Sequence, residues 1–143
     1  MDPYRIVLAD DHTSFRESLK KLIDGVDDLK VVGECSDGLE LLNSMEKLAP
    51  DMIILDITMP HIGGIEAAIE IRKRYPEVRI VMLTIHNESE YISQAISSGA
   101  KGYVTKESVD SELFAAIKAV RKGGSYFPND GMGDAGEYLL MPQ

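Results

Sequence analysis

Met52-Ile53-Ile54-Leu55-Asp56 is the stretch that decides the fold, because four consecutive apolar residues are followed at once by an acid. An apolar run without alternation is typical of a strand that is buried on both faces of a parallel sheet. The stretch therefore predicts a central strand, with Asp56 at its carboxyl end.

Four further apolar runs lie around this strand, and apolar residues at helical spacing follow each of the five runs. The other runs are Tyr4–Ala9, Lys30–Cys35, Arg79–Leu83 and Lys101–Thr105. Asp110 is the expected N-cap of the last helix. Five βα units predict an α/β fold with a doubly wound five-stranded parallel sheet of order 2-1-3-4-5, the flavodoxin-like (βα)5 arrangement.

The length of 143 residues fits one ordinary domain. We expect the domain to span residues 1–124 and residues 125–143 to form a linker or C-terminal tail. Gly131, Gly133 and Gly136 suggest that this tail is loose. Its apolar stretch Tyr138-Leu139-Leu140-Met141 is interpreted as a frayed linker end, with docking on this or a neighbouring domain as the alternative.

The charge and the cysteine count exclude several classes of partner. Acids outnumber bases 24 to 15, which gives a net charge of −9 and argues against nucleic acid and anionic membranes as direct partners of this chain. Cys35 is the single cysteine, so an internal disulfide is impossible. Without a signal peptide or an apolar run of membrane-spanning length, the sequence predicts a cytoplasmic protein without a membrane partner.

Chemistry-bearing side chains follow the predicted strands at the point where each strand ends. Asp10-Asp11, Asp56, Thr84 and Lys106 all reach the carboxyl edge of the sheet, where open parallel sheets bind their ligands. Three converging carboxylates repel one another, and Mg²⁺, which prefers oxygen ligands, removes that repulsion. With a hydroxyl and an ammonium beside them, these residues suit phosphoryl transfer onto an aspartate.

These motifs resemble the receiver domain of bacterial two-component response regulators. The resemblance covers roughly residues 4–122 and is carried by Asp10-Asp11, Asp56-Ile57-Thr58-Met59-Pro60, Thr84 and Tyr103-Val104-Thr105-Lys106. Details such as Val31-Val32-Gly33-Glu34 and Gly123-Gly124-Ser125-Tyr126 resemble the LuxR/NarL/FixJ-type subfamily, whose receivers precede a helix-turn-helix domain.

The resemblance implies a metal site and a phosphoacceptor. Asp56 would accept a phosphoryl group from a sensor histidine kinase. Asp11 and Asp56 would bind Mg²⁺ directly, Asp10 would act mostly through water, and the backbone carbonyl of Thr58 would complete the protein ligands.

The resemblance also implies a switch and an output. Thr84 and Lys106 would contact the phosphoryl oxygens, with the backbone amide of Ile85 adding a further bond. Tyr103 would turn inward as Thr84 moves toward the phosphoryl group. The protein would not be a conventional enzyme but would assist its own phosphorylation and dephosphorylation. It would regulate an output, transcription, as part of a phosphorelay.

Two features of this resemblance concern assembly and the missing output domain. A homodimer would form through the face of the fourth helix, fifth strand and fifth helix, or through the first and fifth helices. The tail from residue 129 is too short for a helix-turn-helix domain and lacks basic residues. We therefore expect either a truncated chain or a receiver without an output domain, with DNA bound only through a domain outside this chain.

Other interpretations of the same residues remain open. A Mg²⁺-dependent phosphatase would need a general acid two residues after Asp56, where Thr58 stands. A flavin mononucleotide binder would need a glycine- and hydroxyl-rich phosphate loop in place of Asp10-Asp11-His12. An interaction module that works without phosphorylation would not need the acidic set. We expect His12, His61 and His86 to be solvated loop residues and assign no zinc site to them, although His86 could tune the access of water to an acyl phosphate.

Overall fold

The computed structural model describes residues 2–128 and, for the backbone alone, residues 138–141. Within these ranges, strands and helices alternate from the first strand to the fifth helix. The strands are β1 (Tyr4–Ala9), β2 (Leu29–Cys35), β3 (Met52–Leu55), β4 (Arg79–Thr84), β5 (Gly102–Thr105), β6 (Ser125–Pro128) and β7 (Tyr138–Met141). The helices are α1 (Thr13–Asp24), α2 (Gly38–Leu48), α3 (Gly64–Arg74), α4 (Ser89–Ser97) and α5 (Val109–Arg121), with a 3₁₀ turn at Lys106–Ser108.

The strands form a single sheet in the order β2-β1-β3-β4-β5-β6-β7. All pairs from β2 to β6 are parallel, and only β7 runs antiparallel to its neighbour β6. The predicted parallel sheet of order 2-1-3-4-5 is therefore confirmed, and two strands extend it beyond β5.

Successive residues of the central strand face opposite layers of helices. Ile53 packs in a cluster with buried residues of α2, α3 and α4, whereas Ile54 packs in a second cluster with buried residues of α1 and α5. Because side chains of a strand alternate between its two faces, a strand covered on both sides must be apolar throughout. All four residues of β3 are buried, so this strand forms the centre of both layers.

Strand β6 lies in the segment that the sequence analysis treats as linker or tail. The Tyr126 amide donates to the Lys101 carbonyl oxygen over 2.8 Å, which joins β6 to the start of β5. The Phe127 side chain packs in the cluster of α2, α3 and α4, and Tyr126 packs in the cluster of α1 and α5. Both rings are buried, so β6 contributes to each layer of the core.

The interpretation of Tyr138–Met141 as a frayed end is wrong. The backbone of these residues pairs with β6, with Phe127 opposite Leu139. A strand at the edge of a sheet has unpaired N–H and C=O groups, and β7 pairs those of β6. The three tail glycines at positions 131, 133 and 136 lie outside the described residues.

The expected N-cap at Asp110 is also wrong. Helix α5 begins at Val109, and Ser108 occupies the N-cap position. The 3₁₀ turn leads directly into the helix, which therefore starts before the acid. Asp110 lies in the first turn, where a carboxylate still interacts favourably with the helix dipole.

Loops at the carboxyl ends of the strands are held close to the sheet. The Asp56 amide donates to the Ala9 carbonyl oxygen over 2.9 Å, which continues the pairing of β1 and β3 past the end of β3. Gly64 begins α3 directly against this loop, and a Cβ added there would lie 2.1 Å from the Asp56 carbonyl oxygen. A glycine is therefore required at position 64 for α3 to approach Asp56 so closely.

Two arginines close the opposite, amino-terminal edge of the sheet. The Arg79 guanidinium donates from Nη1 to the carbonyl oxygens of Val120 and Arg121 over 2.7 and 2.9 Å, at the end of α5. Arg5 donates to the carbonyl oxygens of Leu48 and Ala49 over 2.5 and 3.1 Å, at the end of α2. The orphan carbonyls of both helix ends thus receive donors.

Among the described helices, none has the length and apolar character that a membrane crossing requires.

Candidate functional site

Three aspartates meet at the carboxyl edge of the sheet, as the sequence predicts. Asp10 follows β1 and Asp56 follows β3; both are buried, with 4% and 5% of their surface exposed, whereas Asp11 is exposed. Carboxylate oxygens of the three residues and a ring nitrogen of His12 all lie within 4.8 Å of one another. The loop after β1 and the end of β3 thus form an acidic pocket.

The Lys106 ammonium is shared by the two buried aspartates. Its Nζ atom lies 2.8 Å from Asp10 Oδ2 and 3.4 Å from Asp56 Oδ2. It also lies 3.2 Å from His12 Nδ1 and 4.8 Å from the centre of the Phe15 ring, in cation–π contact. Lys106 follows β5 directly, so the end of the fifth strand delivers this charge to the acids.

The pKa of Asp56 is raised above its ordinary value. Burial is the main cause, and the negative charge of Asp10 adds to it. The Lys106 ammonium and the Thr58 amide lower the pKa but do not reverse the shift. The ionised carboxylate is therefore incompletely compensated, and a further positive charge beside it would be favourable.

Four groups hold Asp10 in place. Its amide donates to the Cys35 carbonyl oxygen over 2.9 Å, and its Oδ1 accepts from the His12 amide over 2.8 Å. Its Oδ2 faces Lys106, and its carbonyl oxygen accepts from Arg16 Nη1 over 2.5 Å. Asp10 is thus fixed at both its main chain and its side chain.

Arg16 and Glu34 are residues of this site that the sequence analysis missed. Arg16 lies in the first turns of α1, and its Nε donates to Glu34 Oε1 on β2 over 3.0 Å. Only 13% of the Arg16 side chain is exposed. The available signal is a basic residue in the first turn of the helix that follows an acidic strand end, together with an acid on the strand predicted to lie beside it.

The loop after β4 lies against the loop that follows Asp56, because His86 Nε2 is 3.1 Å from Thr58 Oγ1. Thr84 is fully buried, and its Oγ1 accepts from the His86 amide over 3.3 Å. Tyr103 is fully buried as well, and its hydroxyl donates to the His86 carbonyl oxygen over 2.7 Å. Ile85, between Thr84 and His86, is 67% exposed. The structure thus places Tyr103 inward and joins it to the loop that carries Thr84.

Two of the three histidines are solvated loop residues, with 64% of the His12 side chain and 66% of the His61 side chain exposed, whereas only 23% of the His86 side chain is exposed. His12 joins the acidic pocket, and His61 Nδ1 lies 2.9 Å from Asp37 Oδ2 at the N-cap of α2. His86 Nε2 lies 3.1 Å from Thr58 Oγ1, and its ring stacks on Tyr91 with centroids 4.1 Å apart. The loops of parallel strands converge on one edge, and this argument applies to the histidines as well as to the aspartates.

The donor set of the pocket favours a hard divalent cation. Carboxylate oxygens are the preferred ligands of Mg²⁺, and an open, partly solvated pocket leaves room for waters and for a phosphoryl oxygen. The lysine ammonium beside them suits a phosphate as a point charge. The arrangement can therefore gather negative oxygens around Asp56.

Comparison with known proteins identifies the family to which the chain belongs. The family of the response regulator receiver domain matches residues 6–118. The transcriptional regulatory protein DegU of Brevibacillus brevis is 38% identical over 122 residues, which cover 85% of this chain and 52% of DegU. The response regulator UvrY of Escherichia coli K12 is 34% identical over 125 residues, which cover 87% of this chain and 57% of UvrY.

The chain thus spans between half and three fifths of the length of these curated relatives. Among solved structures, a two-component response regulator of the LuxR family from Aurantimonas superposes with a TM-score of 0.81 and 38% identity, over 85% of this chain and 87% of that one. The isolated receiver domain of RcsB from Salmonella enterica, solved with the phosphomimetic BeF3−, superposes with a TM-score of 0.82 and 27% identity, over 90% of this chain and 95% of that one. The chain belongs to the response regulator receiver domain family, and its relatives are regulators of the NarL/LuxR type.

Proposed function

We propose that this chain is a phosphoacceptor switch that takes a phosphoryl group onto Asp56 from a phosphohistidine of a sensor histidine kinase. The observation that carries the proposal is the group of Asp56, Asp10 and Lys106, in which one ammonium lies within 3.4 Å of two buried carboxylates. The output would be transcription, because the relative DegU is a transcriptional regulatory protein. DNA would be bound only through a domain outside this chain.

Mg²⁺ is the metal that fits the pocket. Asp11 and Asp56 would bind it directly, Asp10 mostly through water, and the carbonyl oxygen of Thr58 would supply the remaining protein ligand. When bound, the ion offsets the charge that builds up on the phosphoryl oxygens during transfer. The raised pKa of Asp56 supports this assignment, because the carboxylate has lost solvation that the protein alone does not replace.

The reaction is an in-line transfer between nitrogen and oxygen. A carboxylate oxygen of Asp56 attacks the phosphorus, an O–P bond forms, and the N–P bond to the histidine breaks. The imidazole leaves with the electron pair of that bond and takes up a proton. Lys106, Thr84 and the amide of Ile85 would contact the phosphoryl oxygens. Each contact would orient the group and stabilise its negative charge.

The switch would pass through the loop after β4. Thr84 Oγ1 and the Tyr103 hydroxyl both bond to the main chain of His86, so a displacement of Thr84 would reach Tyr103 through a single residue. A hydroxyl drawn toward the phosphoryl group would thereby change the packing of a buried ring and the surface around α4.

His86 would limit the access of water to the acyl phosphate. Its side chain, 23% exposed, lies against the Thr58 hydroxyl and on the Tyr91 ring. Replacement by the small side chain in His86→Ala should therefore accelerate dephosphorylation, measured as the decay of the phosphorylated mass. An unchanged decay rate would contradict this role.

The decisive experiment is chemical phosphorylation of the intact chain. Incubation with Mg²⁺ and acetyl phosphate should add one phosphoryl group, detected by intact mass and labile as expected for an acyl phosphate. Asp56→Asn should abolish the adduct, whereas Asp27→Asn, at an exposed acid, should retain it. An adduct that persists in Asp56→Asn would overturn the proposal.

The same assay distinguishes a phosphoacceptor from a phosphatase. Thr58 stands two residues after Asp56, where a phosphatase would need a general acid. Its side chain is a hydroxyl that is hydrogen-bonded to His86. Steady release of phosphate from many monoesters by the wild type would favour a phosphatase. We expect phosphate release that is limited by the decay of a single acyl phosphate.

Self-association remains a prediction with two faces. On the face of α4, β5 and α5, strand β6 is hydrogen-bonded beside β5. Between α5 and the turn that follows α1, an open groove of about 570 Å³ is lined by residues that include Phe114, Ile117 and Arg121. We favour the α1 and α5 face. Sedimentation of wild type and Phe114→Glu, with and without acetyl phosphate, should show dimerisation that the substitution weakens; a dimer unaffected by Phe114→Glu would contradict this choice.

A further inference from the structure

The peptide plane between Asp10 and Asp11 is anchored at its carbonyl oxygen. Arg16, in the first turn of α1, donates from Nη1 to this oxygen over 2.5 Å. Because the peptide group is planar, fixing its oxygen also fixes the direction of the Asp11 amide and the position of the Asp11 Cα. Asp11 is exposed, and its orientation therefore depends on the main chain that carries it.

Glu34 fixes the guanidinium that provides this anchor. Its carboxylate accepts from Arg16 Nε over 3.0 Å, so two different nitrogens of one planar group are engaged at once. Glu34 lies on β2 opposite Leu8 of β1, and both side chains of the pair are largely buried. The rigid fork of arginine can bridge two acceptors in this way, whereas the compact ammonium of lysine cannot match that geometry.

We infer that Arg16, oriented by Glu34, is a positioning residue that prepares Asp11 for the divalent cation at the acidic pocket. This inference rests on the proposed function, since it assigns a role within the same site. The two acceptors of the Arg16 guanidinium are the Asp10 carbonyl oxygen and the Glu34 carboxylate. Arg16 acts through the Asp10–Asp11 main chain, as the outer partners of metal ligands do.

The test is the affinity of the chain for Mg²⁺ itself. Calorimetric titration of MgCl₂ into Arg16→Met should give a dissociation constant about tenfold higher than that of the wild type, the usual cost of losing an outer partner of a metal ligand. In the phosphorylation assay, the Mg²⁺ concentration for half-maximal rate should rise in parallel, while the rate at saturating Mg²⁺ stays near the wild-type value. Such a split is not expected from a general loss of structure.

Arg79→Met is the matched control. Arg79 is also a part-buried arginine that donates to two acceptors, but both acceptors are carbonyl oxygens at the opposite edge of the sheet. It should lower the stability of the fold without changing the Mg²⁺ dissociation constant. Arg16→Lys should recover only part of the affinity, and Glu34→Gln should weaken it less than Arg16→Met.

Three results would overturn the inference. They are a wild-type Mg²⁺ affinity in Arg16→Met, an equal loss in Arg79→Met, or full recovery in Arg16→Lys, which would reduce the role to charge alone. Failure of the proposed function is distinguishable, because a wild type that binds Mg²⁺ but gains no phosphoryl group leaves the calorimetric comparison intact.

Discussion

At the amino-terminal edge of the sheet Arg5 and Arg79 donate to main-chain carbonyl oxygens, whereas at the carboxyl edge one lysine ammonium is shared by two buried carboxylates. The first arrangement satisfies orphan acceptors of helix ends with charged donors. The second leaves Asp56 with a raised pKa, because burial and the charge of Asp10 outweigh Lys106. The comparison indicates that the amino-terminal edge stabilises the fold. The carboxyl edge instead keeps the Asp56 carboxylate in an environment that is unfavourable for its charge.

The largest expected effect comes from removing the shared ammonium. Lys106→Met should slow phosphorylation by acetyl phosphate about a thousandfold, equivalent to about 4 kcal/mol, because the developing charge loses a preorganised cation. The control is Lys101→Met, the same substitution just before the start of β5, which should leave the rate unchanged. Rates measured by intact mass at saturating Mg²⁺ would contradict the assignment if both variants matched the wild type.

Removal of β6 tests whether the stability of the domain, and with it of both edges of the sheet, depends on strands beyond β5. A chain ending at Gly124 lacks the buried rings of Tyr126 and Phe127 and should lose about 3 kcal/mol of unfolding free energy. A chain ending at Pro128 retains β6 and serves as the control. Equal urea midpoints for the two chains would show that the folded domain ends at residue 124, as the sequence predicts.

The amino-terminal edge is broken by Arg79→Met. This substitution leaves two carbonyl oxygens at the end of α5 without their donor and should cost about 2 kcal/mol of unfolding free energy. Urea unfolding provides the measurement. The rate of phosphorylation at saturating Mg²⁺ should remain that of the wild type, and a large drop in that rate would remove the distinction between the two edges.

The smallest effect is a pH dependence with a defined sign. The pKa of Asp56 is higher in the folded chain than its ordinary value of 3.8, so the folded state holds this proton more tightly. Its contribution to stability is present below pH 3.8 and is lost as the pH rises through the folded-state pKa. Asp56→Asn does not titrate and should gain stability relative to the wild type over that rise, when divalent ions are removed with EDTA.

Asp37→Asn provides a control of opposite sign. The Glu40 amide and His61 lower the pKa of Asp37, so its contribution is present above the ordinary pKa and is lost as the pH falls through the lowered value. At neutral pH this variant should be less stable than the wild type. Urea unfolding over a pH series measures both variants, and parallel pH profiles for the two would contradict the assigned directions.

The sequence predicts the sheet and the acidic pocket because both follow from local rules. A fully apolar strand such as Met52–Leu55 must be covered on both faces, and residues after parallel strands must meet at one edge. Thr84 and Lys106 were placed at that edge by the same argument. Their chemical roles require a phosphoryl group in contact with them, and these roles remain predictions.

Two of the missed features depend on partners elsewhere in the sequence, and the third depends on a turn next to it. Tyr138–Met141 form a strand because the edge of β6 offers backbone groups, which its own composition does not reveal. Arg16 meets Glu34 only after β2 has been placed beside β1. Asp110 does not occupy the N-cap position because the 3₁₀ turn before it continues into α5.

Lys106 gives the acidic pocket a counterion that belongs to the chain itself. Its ammonium lies 2.8 Å from Asp10 and thereby occupies part of the space in which a divalent ion would be most strongly attracted. Binding of a divalent ion would then be an exchange between two cations, the tethered ammonium of Lys106 and the free metal ion. The apparent affinity for the metal would therefore contain the cost of weakening the contact between Lys106 and Asp10, and the displaced ammonium would become available to the phosphoryl oxygens of the proposed reaction.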